Sequence, residues 1–332
     1  MSTLNITRGP EFTAILGLGV FRGEQVVPND DLIEPINSSD EWIQKMTGIR
    51  TRVRAEHDTS VVDMSVAAAE QALAQASLSA AEIDAVIVST ITHPHITPGA
   101  APEVADRLGI TAAAWDISAA CAGYTYGISQ ADALVRAGSA RNVLVIGSEK
   151  MSDWVDPADR SISYLLGDAA GAVVVGPAES AGIGPTIWGS DGSGAHLIRQ
   201  SDDWITVRDN DDVAFPTLFQ EGPSVFKWAS FKMAPVALEA IAAAGLTPDD
   251  IQVFIPHQAN VRIIDQLVKQ IGLPEQVVVG KDITDSGNTS AASIPLAIER
   301  LMRDGAAKSG DIALQIGFGA GLVYAAQVVV LP

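Results

Sequence analysis

The sequence predicts an α/β protein in which two duplicated α/β halves pack about a pseudo-twofold axis in a layered α-β-α-β-α arrangement. Two observations favour this fold class: strongly apolar segments of strand length alternate with helical segments, and one series of landmarks occurs twice. Apolar strands that alternate with helices are typical of sheets covered on both faces. The duplication divides the chain into an N-terminal half, residues 1–178, and a C-terminal half, residues 179–332.

The first landmark is an alanine-rich helix that leads through a short turn into an apolar strand. The helix ends near Ala76 in the first half and near Ala244 in the second, and the strands that follow span 85–88 and 253–255. The two strands therefore begin 168 residues apart. A period of this length is too long for a solenoid repeat and indicates that a whole unit is duplicated.

The second landmark is an apolar helical segment followed by a strand that ends in glycine. Cys121 and Asn288 each open such a segment, and the segments end at Gly138 and Gly305, so both pairs are 167 residues apart. Packing about a twofold axis would bring the N-termini of these equivalent helices together near the centre. We therefore expect Cys121 and Asn288 to share one site.

The composition bounds the class of protein and its ligands. The chain has 332 residues, of which 47% are hydrophobic, so a large buried core is expected. Its 21 basic and 40 acidic side chains give a net charge of −19, the wrong sign for general binding of nucleic acid or anionic membranes. The single cysteine excludes an internal disulfide framework and zinc sites with several thiolates, and it suits a reducing compartment.

The two ends of the chain predict a cytoplasmic protein without a membrane span. Residues 1–10 are largely polar and lack the apolar stretch of a secretory signal. Residues 312–332 carry no charge over a length that could cross a bilayer, but Gln315 and Gln327 lie within them and three glycines interrupt them. This segment is better interpreted as two buried strands joined by a glycine turn.

Cys121 is the candidate nucleophile. It lies where a strand stops and a helix begins, and helix N-terminal amides favour a thiolate, so we expect a lowered thiol pKa. Its small neighbours leave room for a substrate. The alternative is that a lone cysteine in a core serves only as a small hydrophobe.

His257 and Asn288 are the polar partners that the duplicated frame brings to the cysteine. His257 follows a second-half strand, at the end of the sheet where α/β proteins bind ligands. Each residue alone could instead cap a helix. Cys, His and Asn permit either hydrolysis or a decarboxylating condensation, and the residue types alone leave both open. The glycines at 317, 319 and 321 would allow backbone amides to form an oxyanion hole.

Two lookalike motifs are discounted, so no metal or cofactor is expected. The segment from Gly17 to Gly23 imitates a dinucleotide-binding loop, but Arg22 stands at the position of the third glycine. His93 and His95 lack a third ligand of suitable type and spacing.

The sequence closely resembles the β-ketoacyl-acyl carrier protein synthase III family of thiolase-like condensing enzymes from about Ala14 to Pro332. The motifs that carry the resemblance, besides the cysteine segment and the final glycine turn, are 39–43, 47–50, 167–172, 256–260 and 287–293. Thiolases need a second catalytic cysteine, which this chain does not have. Elongating condensing enzymes use two histidines with the cysteine, whereas here the third position is Asn288. Enzymes similar to chalcone synthase share Cys-His-Asn but are usually longer and lack the Trp42 segment.

The resemblance implies a two-stage reaction that initiates fatty acid biosynthesis. An acyl-CoA primer acylates Cys121, and malonyl-acyl carrier protein then decarboxylates and attacks the acyl-enzyme. The family pattern assigns the oxyanion hole to the backbone amides of Cys121 and Ala320, and the donors to the malonyl enolate to His257 and Asn288. Alternatives in the same fold are a starter-unit ketosynthase or acyltransferase of polyketide or secondary metabolism and, more remotely, a non-catalytic acyl-binding relative.

The resemblance also implies residues that bind CoA. Trp42 matches the stacking face for adenine, Arg160 lies beside it, and Asn260 matches a position along the pantetheine channel. Met46 and Pro223 depart from the family, which often has arginine and asparagine at these positions.

The remaining residues implied by the family belong to protein contacts. Lys227, Arg262 and Lys269 match basic positions of the carrier-protein docking surface, although they could equally be ordinary surface residues. The family is homodimeric, and a loop of the partner subunit closes the primer pocket. Thr97 matches the residue on that loop that helps to set primer length, and its small side chain predicts a primer longer or more branched than acetyl.

Overall fold

Residues 4–332 are described by a computed structural model, and they form two five-stranded sheets with helices on both sides. The strands are β1 (Phe12–Arg22), β2 (Gln25–Pro28), β3 (Thr51–Arg54), β4 (Ala85–Ser89), β5 (Ala113–Ile117), β6 (Val143–Lys150), β7 (Asp168–Ala178), β8 (Ile187–Ser190), β9 (Ile198–Gln200), β10 (Leu218–Gln220), β11 (Val253–Pro256), β12 (Val278–Val279), β13 (Ile312–Gly319) and β14 (Val323–Val330). The helices are α1 (Asp40–Thr47), α2 (Val61–Ala76), α3 (Ala100–Arg107), α4 (Gly123–Arg136), α5 (Trp204–Asp209), α6 (Gly222–Ala243), α7 (Val261–Ile271), α8 (Ile283–Ser286) and α9 (Ser293–Arg303).

The two large sheets have the same topology. The first has the strand order β1-β7-β6-β4-β5, and the second has the order β8-β14-β13-β11-β12. In each sheet one strand pairs in parallel with two neighbours, β4 in the first and β11 in the second, and the remaining pairs are antiparallel. The predicted α/β fold with duplicated architecture is confirmed.

The helices occupy three layers around these sheets. Helices α2 and α3 cover the outer face of the first sheet, and α6 and α7 cover the outer face of the second. Between the sheets lie α4 and α9, whose buried side chains include Tyr124, Ile128, Ile294 and Ile298. The layers are therefore α-β-α-β-α, as the sequence predicts.

The repeated turn before β4 and β11 is closed in the same way in both halves. Ser79 and Glu82 form a capping box in the first half, and Thr247 and Asp250 form one in the second. Each hydroxyl donates to the carboxylate three residues later, over 2.8 Å and 2.7 Å respectively. The reciprocal bonds satisfy the free amides at the start of the turn, so a short polar motif fixes where each strand begins.

The equivalence predicted between Cys121 and Asn288 is wrong by one helical turn. The central helices follow 3₁₀ turns at Ala120–Ala122 and Ser290–Ala292. Both turns begin with a residue in the left-handed region, at φ 43° and φ 49°, and these residues are 170 positions apart. The helix ends still match at an offset of 167 because α9 has 11 residues and α4 has 14. Ala291 is therefore the structural counterpart of Cys121.

The glycine motif near the N-terminus lies in a strand rather than a phosphate-binding loop. Gly17 and Gly19 belong to β1, which pairs with β7. A Cβ atom on either residue would lie 2.2–2.3 Å from a backbone oxygen of α2. These glycines allow α2 to pack closely on the sheet, which explains the motif without a nucleotide.

The C-terminal segment forms two paired strands, as predicted. β13 and β14 are antiparallel neighbours joined by the turn Ala320–Leu322. Within residues 4–332, no helix has both the length and the apolar character needed to cross a membrane.

Candidate active site

A cavity of about 750 Å³ lies where the central turns meet the ends of β11 and β13. Cys121, His257 and Asn288 all line it, together with Ala320 from the turn after β13. The structure thus brings together the three candidate catalytic side chains and the predicted oxyanion residue. Most of the other lining side chains are apolar, which suits an acyl group.

The backbone of β13 lies directly against Cys121. A Cβ atom built at Gly319 would lie 3.1 Å from the Cys121 Sγ and 2.9 Å from its Cβ, and one at Gly317 would lie 2.9 Å from the Ala122 Cα. Any side chain at position 319 would therefore displace the sulfur. The glycines have a steric role here, because neither has a left-handed φ.

The expected lowering of the Cys121 pKa is wrong. Burial raises the pKa of this thiol, an interaction with the Ser290 side chain opposes the rise, and the charge of Glu149 adds to it, so that the pKa is about 12. Helix α4 begins only at Gly123, after the 3₁₀ turn that holds the cysteine. Desolvation thus outweighs the local dipoles, and the cysteine is a neutral thiol at physiological pH.

His257 is held as a neutral imidazole at the end of β11. Its amide donates to the Ile316 carbonyl over 2.7 Å, and its Nδ1 lies 2.8 Å from the Ser293 Oγ. Burial lowers the pKa of His257 to about 3. With Nδ1 engaged by Ser293, Nε2 is the ring nitrogen left for a ligand.

Asn288 is fixed through both its backbone and its side-chain oxygen. Its amide donates to the Leu165 carbonyl over 2.7 Å, and its own carbonyl accepts from Gly167 over 3.0 Å. The Oδ1 accepts from the Ser290 amide over 2.9 Å. Because the oxygen is occupied, the side-chain NH₂ is the group that Asn288 offers to the cavity.

The residues predicted to bind CoA gather at the mouth of the cavity. Trp42, Arg160 and Asn260 line it, and the Arg160 guanidinium carbon lies 5.4 Å from the centre of the Trp42 ring. For a nucleobase to stack between Trp42 and Arg160, the guanidinium would have to move away from the ring. Asn260 also holds the fold together, because its Nδ2 donates to the Met46 carbonyl over 3.0 Å and its Oδ1 accepts from the Arg262 amide over 2.8 Å.

The two positions that depart from the family pattern also line this mouth. Met46 and Pro223 both contact the cavity, and Arg262 enters it from α7. The Arg262 Nη1 lies 3.9 Å from the Met46 sulfur, and its guanidinium carbon lies 5.1 Å from the centre of the Phe226 ring. A second guanidinium is therefore present beside the position where relatives often have arginine.

The other predicted protein-contact residues lie outside the cavity. Lys227 on α6 and Lys269 on α7 are exposed, and they are not among the lining residues. Thr97 is exposed on the loop before α3, next to Ile96, which is 81% exposed, and it does not reach the cavity of its own chain.

Glu149 and Ser290 are site residues that the sequence reasoning missed. Glu149 is fully buried at the end of β6, and its Oε1 accepts from the Ser290 hydroxyl over 3.1 Å. A signal was available, because Glu149 and Lys150 continue a strand that is otherwise apolar and small. Charged residues are rarely buried without a role, so such a position is a candidate for function.

No metal centre is formed by the described residues 4–332, in which no group of three His, Cys, Asp or Glu side chains could hold an ion. His93 and His95 contact each other on a loop, with ring centres 5.6 Å apart.

Comparison with protein families and curated proteins identifies relatives of this chain. Residues 115–192 match the family model described as 3-oxoacyl-[acyl-carrier-protein] synthase III, and residues 241–331 match the model of its C-terminal part. The chain is 52% identical to beta-ketoacyl-[acyl-carrier-protein] synthase III of Kocuria rhizophila and 54% identical to beta-ketoacyl-[acyl-carrier-protein] synthase III 1 of Streptomyces coelicolor, each match covering 100% of both chains.

Comparison with solved structures identifies proteins of the same fold over nearly the whole chain. The priming beta-ketosynthase of the R1128 polyketide pathway superposes with a TM-score of 0.97 at 46% identity, over 100% of this chain and 99% of the other. The synthase III of Thermus thermophilus superposes with a TM-score of 0.90 at 40% identity, over 96% of this chain and 99% of the other.

Proposed function

Because this chain belongs to the 3-oxoacyl-[acyl-carrier-protein] synthase III family, we propose that it condenses an acyl-CoA primer with malonyl-acyl carrier protein and so initiates fatty acid synthesis. The observation that carries this proposal is the convergence of Cys121, His257 and Asn288 on one apolar cavity. A neutral, desolvated imidazole and an amide donor suit the stabilisation of a growing enolate.

In the first stage the Cys121 sulfur attacks the thioester carbon of the primer, and the CoA thiolate leaves. The backbone amides of Cys121 and Ala320 are proposed to bind the oxyanion. This assignment is supported by Gly319, which brings the β13 backbone against the sulfur without a side chain in between. Such preorganised donors gain strength in a site that excludes water.

In the second stage malonyl-acyl carrier protein loses carbon dioxide, and the resulting enolate attacks the acyl-Cys121 carbonyl. His257 Nε2–H and the Asn288 NH₂ are proposed to donate to the thioester oxygen of the malonyl group. The low pKa of His257 supports this role, because the imidazole stays uncharged and can present a single N–H. The product is a 3-oxoacyl-acyl carrier protein.

For CoA, we assign Trp42 and Arg160 to the adenine and Asn260 to the pantetheine channel. The stacked Trp42 and Arg160 pair at the cavity mouth supports this assignment. Arg262, beside Met46, supplies a further cation for the nucleotide phosphates.

Intact mass spectrometry after incubation with acetyl-, isobutyryl- and octanoyl-CoA tests the function and the primer together. We expect one acyl adduct on the wild type, none on Cys121→Ala, and faster labelling by the branched or longer primers than by acetyl-CoA. Adding malonyl-acyl carrier protein should release carbon dioxide and a 3-oxoacyl product. An unchanged adduct on Cys121→Ala would contradict the mechanism, whereas a strict preference for acetyl would overturn only the role given to Thr97.

We assign carrier-protein docking to the basic patch formed by Lys227, Arg262 and Lys269. Arg262 lies over Phe226, the residue before Lys227 on α6, so the first two of these cations lie on helices that contact each other. The net charge of −19 does not prevent docking of an acidic partner, because salt screens charges beyond about 8 Å at physiological ionic strength.

Reversing the charge at this patch, as Lys227→Glu with Arg262→Glu, is expected to raise the Michaelis constant for the carrier protein at least tenfold. Lys308→Glu is the matched control, because Lys308 is exposed before β13, at the far end of that strand from Gly319. Steady-state kinetics with varied carrier protein provide the measurement. Equal constants for the double variant and the control would show that the carrier protein docks elsewhere.

We further propose a cytoplasmic homodimer. The exposed Ile96 beside Thr97 supports the dimer, because a second copy would cover this apolar loop. Sedimentation of a fully active monomer would overturn this proposal.

A starter-unit ketosynthase of a specialised pathway is the second candidate, favoured by the TM-score of 0.97 with a priming ketosynthase. Side-by-side kinetics with fatty-acid and polyketide carrier proteins distinguish the two candidates.

A further inference from the structure

Glu149 is a buried carboxylate directly behind the cavity wall. It is 0% exposed, and it is absent from the residues that line the cavity, so it does not meet the substrate. Cys121 and Ser290, in contrast, both line the cavity. The carboxylate is therefore placed to act on the reaction only through another side chain.

The contacts of Glu149 hold its two oxygens in different ways. Oε2 accepts from the Thr92 hydroxyl over 2.6 Å, from the Ile91 amide over 3.0 Å and from the Thr90 hydroxyl over 3.2 Å. Oε1 accepts from the Ser290 hydroxyl over 3.1 Å. Three donors thus fix the carboxylate, and its remaining oxygen points to the central turn.

In the described part of the chain, no cation neutralises this carboxylate. The ammonium of Lys150, the next residue on β6, donates to the Glu56 and His57 carbonyls and lies 3.4 Å from Asp153. Burial raises the pKa of Glu149 to about 7, although its hydrogen bonds oppose the rise. The group therefore changes protonation near neutral pH, which suits a proton acceptor.

Ser290 connects this carboxylate to the nucleophile. Its hydroxyl donates to Glu149, and its interaction with the Cys121 sulfur lowers the thiol pKa, since the turns that carry the two residues pack against each other. A hydroxyl has one proton and two lone pairs, so it can accept from the thiol while it donates to the carboxylate. Ser290 is 1% exposed and has a left-handed φ of 49°, a conformation that persists in a non-glycine residue only where the surrounding structure enforces it.

We propose that Ser290 and Glu149 form the route by which Cys121 gives up its proton for acylation and regains it after condensation. As the Cys121 sulfur bonds to the primer carbonyl, its proton passes to the Ser290 oxygen while the Ser290 proton passes to Glu149. The carbon–sulfur bond to CoA then breaks, and the CoA thiolate takes a proton from solvent.

The second stage reverses the transfer. The enolate forms a carbon–carbon bond to the acyl group, and the bond between that group and Cys121 breaks. The departing thiolate takes the proton back through Ser290 from Glu149. Over both stages one solvent proton is consumed, on CoA, and the enzyme returns to its starting protonation state. Glu149 and Ser290 thereby take up the Cys121 proton and return it, while Cys121 remains the nucleophile.

Few ionisable side chains face Glu149, so its titration is coupled to few other groups. Cys121 is the only ionisable side chain on the packed turns 90–92, 120–122 and 290–292. Lys150, on the same strand, is engaged as described, and on the neighbouring strand β7 Asp168 accepts from the amide and hydroxyl of Ser152. A pH dependence near neutrality that vanishes with Glu149 therefore reports this relay.

The test is the rate of Cys121 alkylation by iodoacetamide, followed by intact mass between pH 5.5 and 9.5. This inference rests on the proposed function, but alkylation requires no acyl-CoA, so the relay can be tested even if no primer reacts. For the wild type we expect a rate that rises with ionisation of Glu149 and levels off above about pH 8. In Glu149→Gln the rate near pH 7.5 should fall about 100-fold and keep rising with hydroxide.

Three comparisons make the result decisive. If Glu149 acted only as a buried charge, Glu149→Gln would lower the thiol pKa and speed alkylation, which would overturn the proposal. Ser290→Ala should lose as much rate as Glu149→Gln, and the double variant should lose no more than either; additive losses would also overturn it. Ala120 adopts φ 43° at the matching turn, so alanine is compatible with the backbone at position 290.

Thr92→Val should move the midpoint of the alkylation pH profile to higher pH, because it removes a hydrogen bond that lowers the Glu149 pKa.

Discussion

Asn288→Asp is expected to slow condensation about 10³-fold while acyl-Cys121 still forms. The substitution is almost isosteric and keeps the oxygen that accepts from the Ser290 amide. It replaces the donating NH₂ with an anionic oxygen, which repels the enolate that develops as carbon dioxide leaves. The measurements are carbon dioxide release from malonyl-acyl carrier protein and the mass of the acyl-enzyme.

The partner substitution His257→Ala should also spare acylation, with a condensation loss of about 10²–10³-fold from one missing donor. Asn210→Asp is the control, since Asn210 lies on an exposed loop. If Asn288→Asp condensed faster than His257→Ala, charge repulsion would not dominate at this position. If both variants lost acylation as strongly as condensation, the division of roles would be incorrect.

Gly319→Ala is expected to reduce both stages at least 100-fold. Its new Cβ would lie 3.1 Å from the Cys121 sulfur and from the backbone nitrogen of the same residue, and neither atom can move without disturbing the turn or β13. Overpacking of this kind destabilises a fold by about 1–3 kcal/mol. Denaturant unfolding and single-turnover acylation measure the two effects separately.

Gly192→Ala is the matched control for this substitution. In the described chain no heavy atom outside residues 191–193 lies within 4 Å of a Cβ built at Gly192, and its φ is not in the left-handed region. It should therefore keep both stability and activity. Normal acylation by Gly319→Ala would show that β13 does not need to approach the sulfur.

The fold could be predicted from sequence because its signals are local and repeated. Strand length, apolar character and the turns before β4 and β11 recur in both halves, so each half supports the interpretation of the other. The offset between the starts of the two central helices could not be predicted. Helix α9 has 11 residues and α4 has 14, but the sequences at their ends are alike. Matching glycines at the helix ends concealed this difference.

The site likewise has some features that a short stretch of sequence predicts and others that depend on contacts between distant residues. Cys121, His257 and Asn288 stand out as residue types, and the structure places them at one cavity. The raised pKa of Cys121 depends on burial by distant segments, and the contact between Ser290 and Glu149 joins residues 141 positions apart. Neither property is encoded in a short motif, so sequence reasoning gave the wrong direction for the first and omitted the second.

The duplication within one chain has a consequence for how the residues at the centre of the molecule can evolve. The axis relates Cys121 to Ala291 and relates Ala120 to Ser290, so the two sides of the centre carry different side chains on equivalent backbone. Two identical half-length chains could never do this, because every substitution would appear on both sides. A fused chain can evolve each side independently, keeping a thiol on one side and a hydroxyl on the other. The catalytic centre is single because the polypeptide is continuous.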